Sequence, residues 1–237
     1  MIRPLVVKAG TTVEPVRARR GDFEDWIAAG LGIARDALDV VAPYQGEALP
    51  DAAAPPAVLL TGSASMVSER EAWSERTAEW LAAVVRRDTP VLGICYGHQL
   101  LAHALGGRVG PNPRGREIGS VALRLRPEAH SDPLLGVLDG NAVVHETHVE
   151  SVLDLPPGAR HLAESDGDPH QAFAVGARAW GVQFHPEFDA DVIRGYLDAR
   201  AELLRSEGLD PEALARGVVE SPAGTLLLRR FAQLLRG

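Results

Sequence analysis

Short apolar runs alternate with amphipathic stretches along the first hundred residues. The runs near 5–9, 38–42, 57–61 and 91–94 read as buried strands. Between them, apolar positions recur at helical spacing near 23–31, 69–86 and 97–105. The second of these helices is expected to open with a capping box, Ser68-Glu69-Arg70-Glu71, and to run through Trp73, Trp80, Leu81 and Val84. The third carries Leu100, Leu101, Ala104 and Leu105 and stops at Gly106-Gly107. This alternation predicts an α/β fold, a doubly wound and mainly parallel central sheet with helices on both faces.

The pattern changes after Gly107. EIGSVALRLR, AVVHETHV, ARHLAES and QAFAVGARAWGVQF read as shorter strands of a small antiparallel addition, interrupted by turn-rich chain from Pro127 to Gly140. Segments near 189–206, 211–217 and 222–236 read as helices covering the sheet. With no internal repeat, low-complexity run or long linker, residues 1–237 are expected to form one domain, with C-terminal helices over about 189–236.

Composition narrows the class. The chain is 46% apolar, and a fold of this length buries about 70–75% of its extended surface, so a core needs neither disulfides nor metal. The formal net charge is −8, Lys8 is the single lysine, and the arginines are dispersed among acids; this argues against a nucleic-acid partner. The first apolar run is broken by Lys8 and Gly10, too soon for a signal peptide or membrane span, so a cytoplasmic protein with no membrane partner is expected. The histidines lack metal-site spacing and no phosphate-binding G-x-x-x-x-G-K-[ST] loop is present, so no metal and no cofactor are expected.

Cys95 is the only cysteine, placed where the apolar run 91–94 becomes a helix. A free cysteine is ordinarily a small packing residue. Here Gly93 and Gly97 flank it as G-x-C-x-G, the thiol counterpart of the turn that projects a nucleophilic serine, and a packing residue has no need of such a turn. A helix N-terminus also favours thiolate over thiol. Ninety residues on, in AWGVQFHPEF, Val182 and Phe184 alternate toward His185 at the end of a strand, and Pro186 stops further pairing. Taken alone, His-Pro-Glu fits a surface turn. Beside Cys95, His185 would be a base whose orienter is the carboxylate of Glu187. Donors for an oxyanion are expected from the backbone N–H of Tyr96 and from the Gly62-Ser63 turn after the 57–61 strand, which a parallel sheet brings to the same edge.

GICYGHQLLAHALGG with GVQFHPEF resembles the class I glutamine amidotransferases, and TGSASMV resembles the oxyanion loop of the subset similar to the glutaminase domain of GMP synthase. The resemblance spans roughly residues 5–197. It implies that Cys95 attacks a γ-carboxamide, that His185 serves first as base and then as acid for the departing ammonia, and that Glu187 orients His185. It also implies that Gln99 helps hold the substrate and that Thr147, His148 and Val149 line the glutamine pocket. The chain departs from the family's S-H-x-D-x-V stretch at Thr147 and Glu150. His98, His103 and His145 acquire no role.

Three functions remain open at this stage. One is a stand-alone hydrolase or transferase acting on glutamine or another small γ-glutamyl compound through a Cys95 thioester. Another is the glutaminase subunit of a two-chain amidotransferase that requires an acceptor or synthetase partner. A third is a non-enzymatic redox-sensing or binding protein on the same fold, against which the His185-Glu187 pair argues, since a sensor needs no proton shuttle.

Overall fold

The computed structural model describes residues 2–140 and 142–236. Met1 and Gly237, the ends of the expected domain, and Asn141 therefore lie outside the described residues. The strands are β1 (Leu5–Val7), β2 (Asp39–Val41), β3 (Val58–Leu60), β4 (Val91–Ile94), β5 (Arg108–Pro111), β6 (Glu117–Ala122), β7 (Arg124–Leu125), β8 (Val143–His148), β9 (Glu150–Asp154), β10 (Arg160–Glu164), β11 (Ala172–Val175) and β12 (Ala179–Val182). The helices are α1 (Glu14–Arg20), α2 (Phe23–Leu31), α3 (Ala72–Arg86), α4 (Tyr96–Ala104), α5 (Ala190–Ala199), α6 (Ala201–Ser206), α7 (Pro211–Arg216) and α8 (Ala223–Leu234).

The main sheet has eight strands in the order β2-β1-β3-β4-β12-β11-β10-β7. From β2 to β12 neighbours run parallel, and from β12 to β7 they run antiparallel. Because successive side chains of a strand point to opposite faces, each parallel strand feeds two cores. Val6, Leu59, Leu92 and Trp180 stand in register and pack beneath α2 and α8. Leu5, Val58 and Val91 alternate onto the other face, against α3 and α4. Two further ladders, β5-β9 and β6-β8, lie outside the main sheet and fold over its edge near the site.

Several boundaries differ from the sequence reading. The capping box at Ser68 does not form: residues 67–69 make a 3₁₀ turn, Arg70 takes a left-handed conformation (φ 53°), and the helix starts only at Ala72, with Glu71 as an N-cap whose side chain accepts from Trp73 Nε1 (2.9 Å) and caps no backbone N–H. The Ser68 amide instead donates to Glu150 Oε2 (3.3 Å), a tertiary contact that competes with the local one. The single helix expected over 189–206 is divided at Arg200 (φ −112°) into α5 and α6. Helix α1 and strand β5 were not expected, being too short to show a period. The β11-β10-β7 strands continue the mainly parallel central sheet in antiparallel fashion, and β5-β9 and β6-β8 form the small antiparallel sheets beside it.

The β4-to-α4 turn depends on close backbone approach. A Cβ on Gly97 would lie 2.6 Å from Leu60 Cβ and 2.7 Å from the Leu60 carbonyl oxygen, and one on Gly93 would lie 2.4 Å from the Gly97 carbonyl oxygen. Neither contact can be relieved by turning a flexible side chain. Gly97→Ala is therefore expected to destabilise the fold by roughly 1–3 kcal/mol, seen in urea titration as a lower midpoint with an unchanged slope; a midpoint equal to the wild type's would mean that the turn relaxes without cost.

Candidate active site

Cys95 ends β4 and caps α4 with φ 52° and ψ −105°, a conformation an L-residue adopts only when its surroundings enforce it. Its amide donates to the Val182 carbonyl (2.9 Å) and its own carbonyl accepts from Gln99 N (3.1 Å), so β12 and the first turn of α4 fix the residue from both sides. The Sγ atom lies 3.9 Å from the Thr147 carbonyl oxygen and faces a cavity of about 540 Å³. Thr12, Phe23, Ser63, Tyr96, Gln99, Arg116, Thr147, His148, Val149, His185 and Arg200 are among the residues lining this cavity.

The β12 strand ends at Val182, three residues before His185, so the histidine is not the strand's last residue as expected. It is held by its amide, which donates to the His145 carbonyl on β8 (2.9 Å), and by a turn closed from Phe188 N to the His185 carbonyl (3.3 Å). That turn, rather than an extended segment, brings Glu187 Oε1 to 2.8 Å from His185 Nδ1. With Nδ1–H donating to the carboxylate, Nε2 is left without a regular hydrogen-bond partner and lies beside Cys95. The imidazole stacks on Phe188 (4.0 Å between centroids), and Phe23 lies near-parallel to both rings at 6.1 Å from His185 and 6.3 Å from Phe188. Burial by itself would lower the His185 pKa. The charge and hydrogen bond of Glu187, together with the neighbouring Cys95 sulfur, outweigh burial and push it up to about 10.

Of the expected oxyanion donors, Ser63 and Tyr96 border the cavity, and Gly62 packs so closely that a Cβ there would be 2.9 Å from His185 Cε1. Thr61 anchors this loop, accepting from Ala9 N (2.9 Å) and donating to the Gly62 carbonyl (2.9 Å). Tyr96 opens α4, where the N–H groups of the first turn have no intrahelical partner. Its ring is stacked on Trp73 and its hydroxyl is bonded to Ser74 (2.6 Å), which pins the helix end to α3.

The residues expected around the substrate are placed unequally. Gln99 borders the cavity, but its Nε2 protons go to the Glu150 carbonyl (2.8 Å) and Gln183 Oε1 (3.0 Å), leaving the Oε1 acceptor. His148 has both nitrogens engaged, Nδ1 with the Glu150 carbonyl (2.9 Å) and Nε2 with Glu117 Oε2 (3.1 Å). Its ring is thus a structural strut, and the neighbouring Thr147 and Val149 backbone faces the cavity.

Behind His148, Glu117 and Glu146 approach each other, and with His148 they form the one group among the described residues whose ligand-type atoms lie within 4.8 Å of one another. Glu117 also accepts from Ser165 (2.7 Å) and Gln171 (2.8 Å), whereas both Glu146 carboxyl oxygens are buried without a regular hydrogen-bond partner. Burial, with the nearby Glu117 charge, raises the Glu146 pKa well above the usual carboxylate range, so Glu146 is neutral. Among the histidines given no role, His98 is wholly buried against Phe173, which lowers its pKa to about 3, and His103 pairs with Glu75 (3.0 Å). His145 packs under the site, with burial lowering its pKa.

Sequence reasoning missed Phe23, Tyr196 and the two arginines. Phe23 starts α2, whose N-cap Asp22 is a hub: it accepts from Thr12 N (2.9 Å) and from Lys8 Nζ (3.0 Å), which brings the 11–13 segment to the cavity. The only local clue was the Asp22…Asp25 capping box. Arg116 and Arg200 belong to no motif and reach the site only through tertiary packing.

The family described as "Glutamine amidotransferase class-I" matches residues 26–195, more than half of the chain. A glutamine-hydrolyzing GMP synthase of Phenylobacterium zucineum is 33% identical over 202 residues, covering 82% of this chain and 31% of the relative. That of Aeropyrum pernix is 41% identical over 142 residues, covering 60% of this chain and 25% of the relative. The chain thus spans less than a third of the length of these relatives. A glutamine amidotransferase structure from Thermotoga maritima superposes with a TM-score of 0.78 at 22% identity, covering 99% of this chain and 98% of the other, which establishes likeness of fold. Among the described residues, no helix is long and apolar enough to cross a membrane. The chain belongs to the class-I glutamine amidotransferase family.

Proposed function

We propose that the protein cleaves the γ-amide of glutamine or of another small γ-glutamyl compound, with Cys95 as nucleophile, His185 as proton carrier and Glu187 as its orienter. The observation that carries this reading is one cavity containing the conformationally constrained Cys95 and the His185 ring, whose far nitrogen is tied to Glu187. Sγ attacks the amide carbonyl carbon, and the N–H groups of Tyr96 and of the Gly62-Ser63 loop receive the developing oxyanion. The C–N bond breaks as the His185 Nε2 proton passes to the leaving nitrogen, which departs as ammonia or an amine. Neutral His185 then takes a proton from water. The resulting hydroxide attacks the thioester, and the C–S bond breaks to return the thiolate, the imidazolium and a γ-carboxylic acid.

A second reading, in which the chain is the glutaminase part of a two-chain synthetase, is supported by its similarity to glutamine-hydrolyzing GMP synthases. A screen of the purified chain against glutamine and γ-glutamyl dipeptides, without ATP or a second protein, separates the two. Steady glutamate release is expected. Labelling of Cys95 by a glutamine-like chloroketone with no turnover of any γ-glutamyl compound would favour the two-chain reading.

Replacing Cys95 or His185 with Ala is expected to lower turnover by about 10³-fold or more, with the double variant no worse than the worse single one, since such residues act as a unit. Glu187→Gln keeps the hydrogen-bond acceptor and should lose less. Steady-state kinetics on the variants checks this, and a Glu187→Gln enzyme as inactive as Cys95→Ala would require Glu187 to take part in proton transfer itself.

The raised His185 pKa fixes the sign of the pH dependence. The imidazolium is the form that protonates the leaving group, so activity should persist through neutral pH and fall as pH rises through about 10. Its contribution to stability follows the same direction, complete below the unfolded-state value near 6.5 and lost as pH rises through about 10. Because the Glu187 charge helps hold that pKa up, Glu187→Gln should move the alkaline limb of kcat/KM to lower pH. A limb that stays in place would contradict the assignment.

A further inference from the structure

The cavity continues beyond Cys95 on the side of the His185 ring. A line of aromatic contacts runs outward from His185 to Phe188 (4.0 Å), to Tyr196 (5.0 Å) and to the guanidinium of Arg200, 5.3 Å over the Tyr196 ring. Thr12 borders the same stretch, its hydroxyl donating to the Tyr196 oxygen (2.8 Å), and Leu203 completes the rim. Gln99, Val149 and Glu150 also line this cavity, with the Gln99 amide bonded to the Glu150 carbonyl (2.8 Å).

Two guanidinium groups face this outer stretch, and they differ in how they are neutralised. Arg116 forms a two-pronged ion pair with Glu207 (2.7 and 2.9 Å). Among the described residues, Arg200 has no carboxylate within ion-pair distance; its one side-chain hydrogen bond is to Thr147 Oγ1, at 3.4 Å. Burial lowers the Arg200 pKa, and Tyr196, Cys95 and Glu207 offset this only in part while the charge of Arg116 adds to it. In a chain with eight more acidic than basic residues, a half-buried cation directed into a cavity is not left over from the surface charge pattern. A desolvated guanidinium gains most from a planar two-oxygen partner.

Resting on the proposed γ-glutamyl reading, we infer that Arg200 binds a carboxylate on the leaving-amine side of the substrate, so that the preferred substrates are γ-glutamyl amides of amino acids or short peptides rather than free glutamine. The γ-glutamyl end would lie by Gln99 and Val149, the scissile bond would lie between Cys95 and His185, and the amine's own carboxylate would reach Arg200. Arg200 is then a positioning residue for specificity, with no part in the bond-making step. Tyr196 holds the guanidinium by its ring face and Thr147 by its hydroxyl.

The test measures how well γ-glutamylglycine and γ-glutamylmethylamide, which differ in one carboxylate, protect Cys95 from alkylation by iodoacetamide, alongside their KM and kcat. For the wild type, γ-glutamylglycine should protect at a concentration at least tenfold lower than the methylamide. In Arg200→Gln that ratio should collapse toward one, and Arg200→Lys, which keeps the charge but not the fork, should restore part of it. Thermal melting of each variant checks that it is folded.

A ratio unchanged in Arg200→Gln overturns the inference. So does an equal loss of affinity for both compounds, which would place Arg200 on the α-carboxylate that they share. Protection does not require turnover, so the two readings fail separately. Arg200-dependent protection without cleavage would keep this inference and remove the hydrolase reading, whereas cleavage with no carboxylate preference would do the reverse.

Discussion

One close contact underlies the site: the first turn of α4 lies directly on the end of β3, with no side chain between Gly97 and the Leu60 backbone. That approach forces the chain to reverse within a single residue after β4, and Cys95 takes the positive φ that the reversal requires. The conformation is unfavourable for an L-residue, and it persists because the Val182 carbonyl, the α4 hydrogen bonds and the two-sided core all fix the chain around it. The same contact sets the Gly62-Ser63 loop next to the thiol, since that loop is the continuation of β3. In the proposed mechanism, the nucleophile and its oxyanion donors thus come together from one packing decision.

The charges around the site are ordered by the same low-polarity surroundings. His185 is buried against two phenylalanine rings, where an imidazolium would ordinarily be disfavoured, and its pKa is nevertheless raised because Glu187 lies 2.8 Å away and the Cys95 sulfur is beside its other nitrogen. Behind it, the Glu117, Glu146 and His148 cluster avoids accumulating buried negative charge by leaving Glu146 protonated. Bonded to Glu117 and to the Glu150 carbonyl, His148 is held as part of the wall. In the proposed reading the γ-glutamyl end of a substrate would be held by backbone and by Gln99, while the far end would meet Arg200, which has no carboxylate within ion-pair distance among the described residues.

The parallel half of the sheet and its covering helices were legible in the sequence because long periodic segments carry their own signal. The apolar triplets in β1 and β3 and the helical spacing in α2, α3 and α4 record which faces are buried. Cys95, His185 and Glu187 stood out as well, because glycines around a thiol and a proline after a histidine are costly unless a turn needs them. Short elements such as α1, β5 and β7 carried too few residues to show a period, and the Ser68 capping box was locally sound but lost its place to the Glu150 contact.

The sequence by itself determined the fold class, the turn that carries the thiol and the identity of the histidine and its carboxylate, since each is written in residues close together in the chain. Only the tertiary structure decided which surfaces face that thiol. Phe23 comes from the start of α2, Thr147 from the end of β8, and Arg200 from the break between α5 and α6. An arginine at a helix junction has no local pattern to mark it. Its meaning depends on whether a carboxylate from elsewhere in the chain reaches it, as Glu207 does for Arg116 and none does for Arg200 among the described residues. Charge compensation across distant segments is a property of three-dimensional packing, and for that reason it could not be read from the order of residues.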